Sequence, residues 1–227
     1  MQAVLPWFAA LLLVLPMSAH AQSQARSMLE AAERGDVPEI GRLIAAGAPV
    51  DATDAAKQTS LLLAVRNDHL AVAQRLIDAG ADINAQAANQ DTPWLLAGAL
   101  GRTAMLRYML PKGPAFRIRN RFGGNALIPA CERAYVDTVA FLVTTPIDVN
   151  HINNLGWTCL LEIVILGDGG PRHVEVTKLV LAAGANPNIA DKDGVSPLRH
   201  ARQRNQRHHH RYRPRKGRQN KPHLPAD

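Results

Sequence analysis

The stretch that decides the fold is Thr92-Pro93-Trp94-Leu95-Leu96-Ala97, because related stretches recur along the chain. Together with the one at Thr92, those at Thr59, Asn125 and Thr158 begin at equal intervals of 33 residues. A fifth begins at Ser196, 38 residues after Thr158. Each opens with a hydroxyl or amide residue that can cap a helix. A constant period of this length is typical of stacked structural repeats, each one too small to bury its own apolar face.

A second set of equivalent positions confirms the register. Ala46-Gly47-Ala48, Ala79-Gly80-Ala81 and Ala183-Gly184-Ala185 occupy the same place in their repeats, and Gly113 and Pro146 fill it in the two between. Glycine suits the left-handed end of a helix. Apolar pairs at helical spacing lie before these positions. Each unit is therefore predicted to be a capped helix, a tight turn, a second helix and a loop with a short extended finger.

These motifs resemble the ankyrin repeat family. The signatures T-P-L-H-x-A and G-A-D-V-N are matched by Thr92-Pro93, Ser196-Pro197-Leu198 and Gly80-Ala81-Asp82-Ile83-Asn84. The resemblance covers about residues 26–201. It implies an all-α solenoid of about five helix-turn-helix repeats with short β-hairpin fingers. It also implies that protein partners bind a concave face made by the finger tips and the first helices.

The composition limits the alternatives. Hydrophobic residues make up 47% of the 227 residues and aromatic residues only 4%, so the core must be aliphatic and an aromatic-cored β-sandwich is excluded. The net charge of +7 comes from the C-terminus, where residues 199–227 hold ten Lys or Arg and one acidic residue. The rest of the chain is close to neutral, so the sequence does not describe a basic domain.

Both ends differ from the repeats. Residues 1–21 are predicted to be a signal peptide, since an apolar run is followed by Ala19-His20-Ala21, although no Lys or Arg precedes that run. An uncleaved membrane anchor is the alternative. We expect a repeat domain over residues 22–203, with an incomplete last repeat, and a disordered basic tail over residues 204–227. The protein is thus expected in the periplasm or outside the cell.

The tail allows three interpretations. His208-His209-His210 could bind a transition metal weakly, or be a solvated run. The Arg and Lys cluster could attract nucleic acid, lipopolysaccharide or anionic lipid by counterion release. The abrupt loss of periodicity also suggests a reading-frame change in an ancestor with a complete last repeat. That loss predicts that part of the helix holding Val176, Leu179, Val180 and Leu181 is poorly covered.

No catalytic motif or cofactor-binding loop is recognisable, so the protein is predicted not to be an enzyme and to need no cofactor or metal. Cys131 and Cys159 fall five positions apart on neighbouring helices. Helix spacing and the rise over five residues together place them too far apart for a disulfide, so both are expected to be core thiols.

The resemblance, carried over residue by residue, gives the candidate partner-binding positions. They are Arg66, Asn67, Arg119, Arg121, Phe122, Glu132, Arg133, Asn154, Leu155, Trp157, Lys192 and Asp193. Arg119 and Arg121 are expected to share one face of an extended finger, beside Phe122 and Trp157. Trp94 and Leu127 are assigned to the core. The alternative for each candidate is a solvated surface residue.

The 38-residue interval places five extra residues within 167–172, where three Gly and one Pro predict a defined turn rather than a longer helix. It looks like a loop of certain exported bacterial ankyrin proteins, and it is either a tolerated insertion or an extra contact loop. Its polar candidates are Asp168, Arg172 and His173. The function predicted from the whole sequence is non-catalytic protein binding by an exported monomer. The alternative is an adaptor attached to an anionic surface through the tail.

Overall fold

A computed structural model describes residues 19–211 of the chain, and the side chains of residues 19–204. Eleven α-helices lie in this part: α1 Ala19–Arg34, α2 Val37–Ala45, α3 Ser60–Arg66, α4 Leu70–Asp78, α5 Pro93–Ala99, α6 Thr103–Met109, α7 Leu127–Glu132, α8 Val136–Leu142, α9 Cys159–Leu166, α10 Pro171–Ala182 and α11 Pro197–Arg211. A short 3-10 helix, Leu110–Lys112, follows α6. Most of the predicted signal peptide, residues 1–18, lies outside the described residues.

The helices of the described residues form two compact units, divided between Pro93 and Trp94. In the first unit, α1 packs on α2 and α3, and α4 packs on both α2 and α3. In the second, α7 packs on α8 and α9, while α10 packs on α8 and α9. First helices therefore contact first helices and second helices contact second helices, as the 33-residue period predicts.

Helix starts follow the predicted caps. The Thr59 hydroxyl accepts a hydrogen bond from the Leu62 N–H, and Thr158 does the same for Leu161. The Asn125 Oδ1 accepts from two backbone N–H groups at the start of α7. Trp94 and Leu127 are buried, which confirms their assignment to the core.

The fingers are tighter than the predicted β-hairpins. The described residues contain no strand, and an isolated bridge joins Thr53 to Thr59. Each finger is a five-residue turn closed by two backbone hydrogen bonds, from the first residue's N–H to the fifth residue's carbonyl and from the fourth residue's N–H to the first residue's carbonyl. We number the fingers 1 to 5, at residues 54–58, 87–91, 120–124, 153–157 and 191–195.

An Asp or Asn opens four of the five fingers. The side-chain oxygens of Asp54, Asn120, Asn153 and Asp191 each accept from the backbone N–H groups two and four residues later. One carboxylate or amide thus satisfies two donors that the turn leaves unpaired. In finger 2 the position is Ala87, and Asn89 bonds the N–H of Asp91 instead. These four residues occupy equivalent positions in their repeats.

The predicted separation of the two cysteines is wrong. Cys131 and Cys159 form a disulfide, with their Cα atoms 5.7 Å apart, so neither is a free thiol. One period earlier, a Cβ added to Gly98 would lie 2.6 Å from the carbonyl oxygen of Ala126. Neighbouring first helices are therefore offset along their axes, and the end of one lies against the start of the next. The prediction failed because it assumed helices in register.

The five extra residues form a turn and lengthen a helix. The turn runs over residues 167–170, and Pro171 then begins α10, which has 12 residues against nine in α4. His69 and His173 each place their Nε2 3.0 Å from the carbonyl oxygen of a residue near the end of a preceding first helix, Glu33 and Glu132. This shared contact supports aligning His173 with His69. The turn-only expectation was incomplete, because Pro171 and Arg172 are helical.

The C-terminus differs from the predicted disorder over residues 204–211. Helix α11 continues to Arg211, well past the length at which the other first helices end. The sequence supplies no Gly or Pro between Leu198 and Tyr212 that would stop it. Residues 212–227 lie outside the described part. The side chains of His208-His209-His210 do too, so their metal-binding interpretation stays a prediction.

Candidate partner-binding site

Fingers 3, 4 and 5 of the second unit are tied to one another by hydrogen bonds. The Asn154 N–H donates to the Phe122 carbonyl at 2.9 Å, and the His151 Nε2 lies 2.6 Å from the Gly123 carbonyl. The Lys192 ammonium donates to the Asn154 carbonyl at 2.6 Å. Adjacent finger tips are therefore held at fixed spacing before any partner arrives.

Glycine is required where finger 3 meets finger 4. Gly123 has a φ of +71°, in the left-handed region, and a Cβ there would lie 2.2 Å from the Asn154 Oδ1. Any other residue at this position would be strained at this φ and would displace the Asn154 side chain. The close approach is thus built into the sequence.

Large apolar side chains cover these ordered tips. Phe122 and Leu155 are each 54% exposed, and Ile152 is 48% exposed. The Arg121 guanidinium lies 4.5 Å from the centre of the Phe122 ring, a cation–π contact. We call Arg121, Phe122, Ile152 and Leu155 the finger-tip patch. Exposed aromatic and aliphatic side chains next to arginine are typical of interface hot spots.

The structure separates Arg119 from Arg121. The Arg119 guanidinium turns back on its own finger and donates to the carbonyls of Phe116, at 2.6 Å, and Ile118, at 3.1 Å. Arg121 is exposed and stacks on Phe122. The alternation of side chains along an extended strand predicted that Arg119 and Arg121 share one face. In the structure the two side chains do not present a common charged surface.

Two other candidates make contacts within their own unit. The Asn67 amide donates to the Glu33 carbonyl at 3.3 Å, and the Arg133 guanidinium donates to the Ala99 carbonyl at 2.8 Å. Each contact caps the end of the preceding first helix, 34 residues earlier in both cases. These side chains have a structural role at equivalent positions. Among the remaining candidates, Arg66 and Asp193 are exposed, while Glu132 and Trp157 are half-buried.

The inserted turn is closed by Asp168. Its Oδ1 accepts from the Gly170 N–H at 2.8 Å and lies 2.7 Å from the His173 Nδ1. The Gly170 hydrogen bond and then the His173 contact lower the pKa of Asp168. Since the other nitrogen of His173 meets the Glu132 carbonyl, the imidazole links the turn to α7. Arg172 stays exposed beside this turn.

A buried carboxyl group at the base of finger 4 was missed by the sequence analysis. Glu162 of α9 accepts a hydrogen bond from the Asn153 amide at 2.8 Å. Burial, reinforced by the nearby Glu132 carboxylate, raises its pKa to about 7. The equivalent pair in the next repeat is His200 and Asp191, whose Nε2 and Oδ2 lie 2.7 Å apart. The shared nine-residue separation within each pair was the available signal.

Among the described residues, no group of three or more His, Cys, Asp or Glu side chains is placed to hold a metal ion. None of the helices between residues 19 and 211 is both long and apolar enough to span a bilayer.

Comparison with known proteins gives a consistent result. A family model described as "Ankyrin repeats (3 copies)" matches residues 28–120, 61–153 and 94–191. The ankyrin repeat protein YahD of Escherichia coli (strain K12) is 44% identical over 101 residues, which are 44% of this chain and 50% of YahD. The chain thus spans about half the length of this curated relative.

Solved structures are similar over a larger part of the chain. An ankyrin repeat domain from Acinetobacter baumannii AYE is 46% identical with a TM-score of 0.76, covering 79% of this chain and 92% of that one. The ankyrin repeat protein EF0377 is 38% identical with a TM-score of 0.77, covering 80% and 92%.

Proposed function

The chain belongs to the ankyrin repeat family, whose members are protein-interaction scaffolds without catalytic activity, and from this we propose that it is exported and binds a protein through the finger-tip patch. The observation that carries the proposal is the pair Phe122 and Leu155. Both are more than half exposed on adjacent fingers that hydrogen bonds hold in place. Large apolar side chains that are exposed at fixed neighbouring positions are typical of a surface that a partner protein covers.

Rigidity supports this assignment energetically. A partner that docks on fingers 3 to 5 meets backbone already fixed by the Asn154, His151 and Lys192 contacts. Little conformational entropy is then lost on the scaffold side, which leaves more of the contact energy available as affinity. Arg121 adds a cation over the ring that a partner's carboxylate or aromatic group can approach from the open side.

The disulfide supports export. Structural disulfides form and persist in oxidising compartments such as the periplasm and are rare in the cytosol. Cys131 and Cys159 are both fully buried and bonded to each other, so the pair is not exposed for exchange with small thiols. A cleaved signal ending at Ala21 would deliver the chain to such a compartment. The predicted cleavage bond lies in the first turn of α1.

Photo-crosslinking tests the binding surface. A benzophenone amino acid replaces Phe122 or Leu155 in the full chain, expressed in the native host, and exposed Arg75 of α4 is the control position. We expect one protein to be crosslinked from the finger positions and none of it from Arg75. The same product from all three positions, or none from the finger positions, would overturn the proposal.

Export has its own test. The full chain is fractionated and the processed protein is weighed by mass spectrometry. We expect a periplasmic or secreted product that begins at Gln22 and has both cysteines oxidised. An uncleaved cytoplasmic chain with free thiols would reject export and leave the finger-tip proposal standing on the crosslinking result.

A further inference from the structure

The large apolar side chains that are exposed in the described part of the chain fall into two groups, and the finger-tip patch accounts for one of them. The second group is Leu166, Val174, Leu181 and Leu198, which come from α9, α10 and α11. We call these four residues, together with the cavity that Val174 lines, the terminal face. None of the finger contacts involves this surface.

The terminal face is the side of α10 that a further repeat would cover. Helix α4 is covered at the equivalent residues: Ala73, which aligns with Thr177, and Ile77, which aligns with Leu181, are buried. Leu181 is 43% exposed. Within the second unit α8 packs between α6 and α10, but no described helix packs on the outer side of α10. Helix α11, which follows α10 along the chain, continues to Arg211 and does not double back within the described residues.

A cavity of about 390 Å³ lies beside this helix face. Its walls are Ile163 and Val164 of α9, Val174 and Thr177 of α10, and Ala201 of α11, with the 167–169 turn at one edge. Val174, Thr177 and Leu181 follow one another at helical spacing and form a single ridge. An apolar ridge next to a depression of this size is suited to the side chains of a packed helix.

Basic residues border the terminal face. Arg172 and Lys178 of α10 and Arg202 of α11 are exposed, and Arg204 lies at the cavity with its guanidinium on the Val164 and Ile165 carbonyls. The nearby acidic residues are already engaged: Glu175 with Lys178 at 3.7 Å, and Asp168 with His173 at 2.7 Å. The border therefore carries an excess of positive charge.

We propose that the terminal face binds an amphipathic α-helix of a partner protein, apolar on one side and acidic at its flanks, in the place of a further second helix. This site is separate from the finger-tip patch. Residues 199–227 are poorly suited to this role, because Tyr212 and Leu224 are the large apolar residues among them. A second copy packed through α10 would bring Lys178 near its own counterpart, so charge disfavours self-association.

Designed peptides test the proposal on the full processed chain. One 18-residue peptide carries Leu at helical spacing and Glu on its flanks; a second keeps every Leu and replaces Glu by Lys; a third scrambles the first. Fluorescence anisotropy measures Kd at 50 mM and 150 mM salt. We expect the acidic helix to bind at least tenfold more tightly than the other two, and more weakly at the higher salt.

Protein variants locate the binding. The double variant Val174→Ser with Leu181→Ser should raise the Kd of the acidic peptide at least tenfold. Its circular dichroism should be unchanged, because both side chains are exposed. Arg172→Glu with Lys178→Glu should reverse the preference towards the basic peptide. Arg75→Glu, a charge reversal at an exposed position of α4, is the matched control and should leave the Kd of the acidic peptide and of the basic peptide unchanged.

Equal binding of acidic and basic peptides, no binding at 1 mM, or unchanged binding by the serine variant would each overturn the proposal. A dimer in light scattering that the serine variant dissociates would assign the face to a second copy instead. These outcomes leave the crosslinking from Phe122 and Leu155 unaffected, so failure here and failure of the proposed function are distinguishable.

Discussion

Helices α4 and α10 occupy the same place in the repeat, one in each unit, but their outer faces differ in exposure. Ile77 is 3% exposed and Leu181 is 43% exposed, although both are large aliphatic residues at equivalent positions. The hydrophobicity of a residue therefore does not by itself set its burial at this position of the repeat. The second unit, whose helix is the more exposed of the two, is the one that contains a disulfide.

The first expected difference between the units concerns this disulfide. Replacing both Cys131 and Cys159 by Ser should destabilise the second unit by about 4 kcal/mol, since the bond closes a loop of about 28 residues in the unfolded chain. Outside the proposed signal peptide the tryptophans are Trp94 and Trp157, and both lie in the second unit. Urea unfolding followed by fluorescence therefore measures this unit. Amide exchange in α3 and α4 is the control, and an equal loss of protection there would contradict the assignment to one unit.

The second difference concerns the paired helix positions. Ile77→Ala should cost about 3 kcal/mol, because it removes a fully packed side chain and leaves a cavity. Leu181→Ala should cost no more than about 0.5 kcal/mol, because water already reaches that side chain. Thermal unfolding of the two variants provides the comparison. Similar losses of stability would mean that α10 is covered in solution.

A third difference is the pH dependence of the second unit. Glu162 has its pKa raised to about 7 by burial, above the ordinary value near 4.5. The folded state thus holds a proton that the unfolded state releases, and stability falls as pH rises from about 5 to 7. We expect a loss of about 2 kcal/mol over this range in urea titrations. Glu162→Gln should remove most of this slope, and a wild-type slope in that variant would exclude Glu162 as its source.

The smallest difference lies in the finger turns. The fourth finger residue has a positive φ in every finger, and it is Lys57 and Gln90 in the first unit but Gly123, Gly156 and Gly194 in the second. Gln90→Gly should stabilise the first unit by up to about 1 kcal/mol by relieving left-handed strain. Gly194→Ala should cost about 1 kcal/mol, since its Cβ would meet nothing within 4 Å and strain alone remains. Chemical denaturation tests both, and a stabilising Gly194→Ala would refute the strain argument.

The repeat itself was predictable from the sequence because its signals are local and periodic. Thr59, Asn125 and Thr158 cap helices where the 33-residue spacing places them. Each of these features depends on residues within one or two turns of a helix. Periodicity averages over five copies, so a single unusual residue such as Pro146 does not hide it.

The contacts between repeats were harder to predict. The axial offset that joins Cys131 to Cys159 is a tertiary property, and no spacing within one repeat reveals it. The same limit applies to Arg119, whose side chain turns back on its own finger, and to Arg133, which caps a neighbouring helix. The Glu162 and Asn153 pair could have been found by comparing adjacent repeats, because Asp191 and His200 repeat its separation.

The disulfide also fixes how this protein would respond to mechanical tension. Finger 4 lies inside the covalent loop between Cys131 and Cys159, so a pulling force on the chain ends bypasses it. About 28 residues, or about 95 Å of extended chain, would be withheld from the contour length released on unfolding. Leu155 lies inside this loop whereas Phe122 lies outside it, so tension on the chain ends would separate the two apolar side chains of the finger-tip patch while the loop itself stays closed.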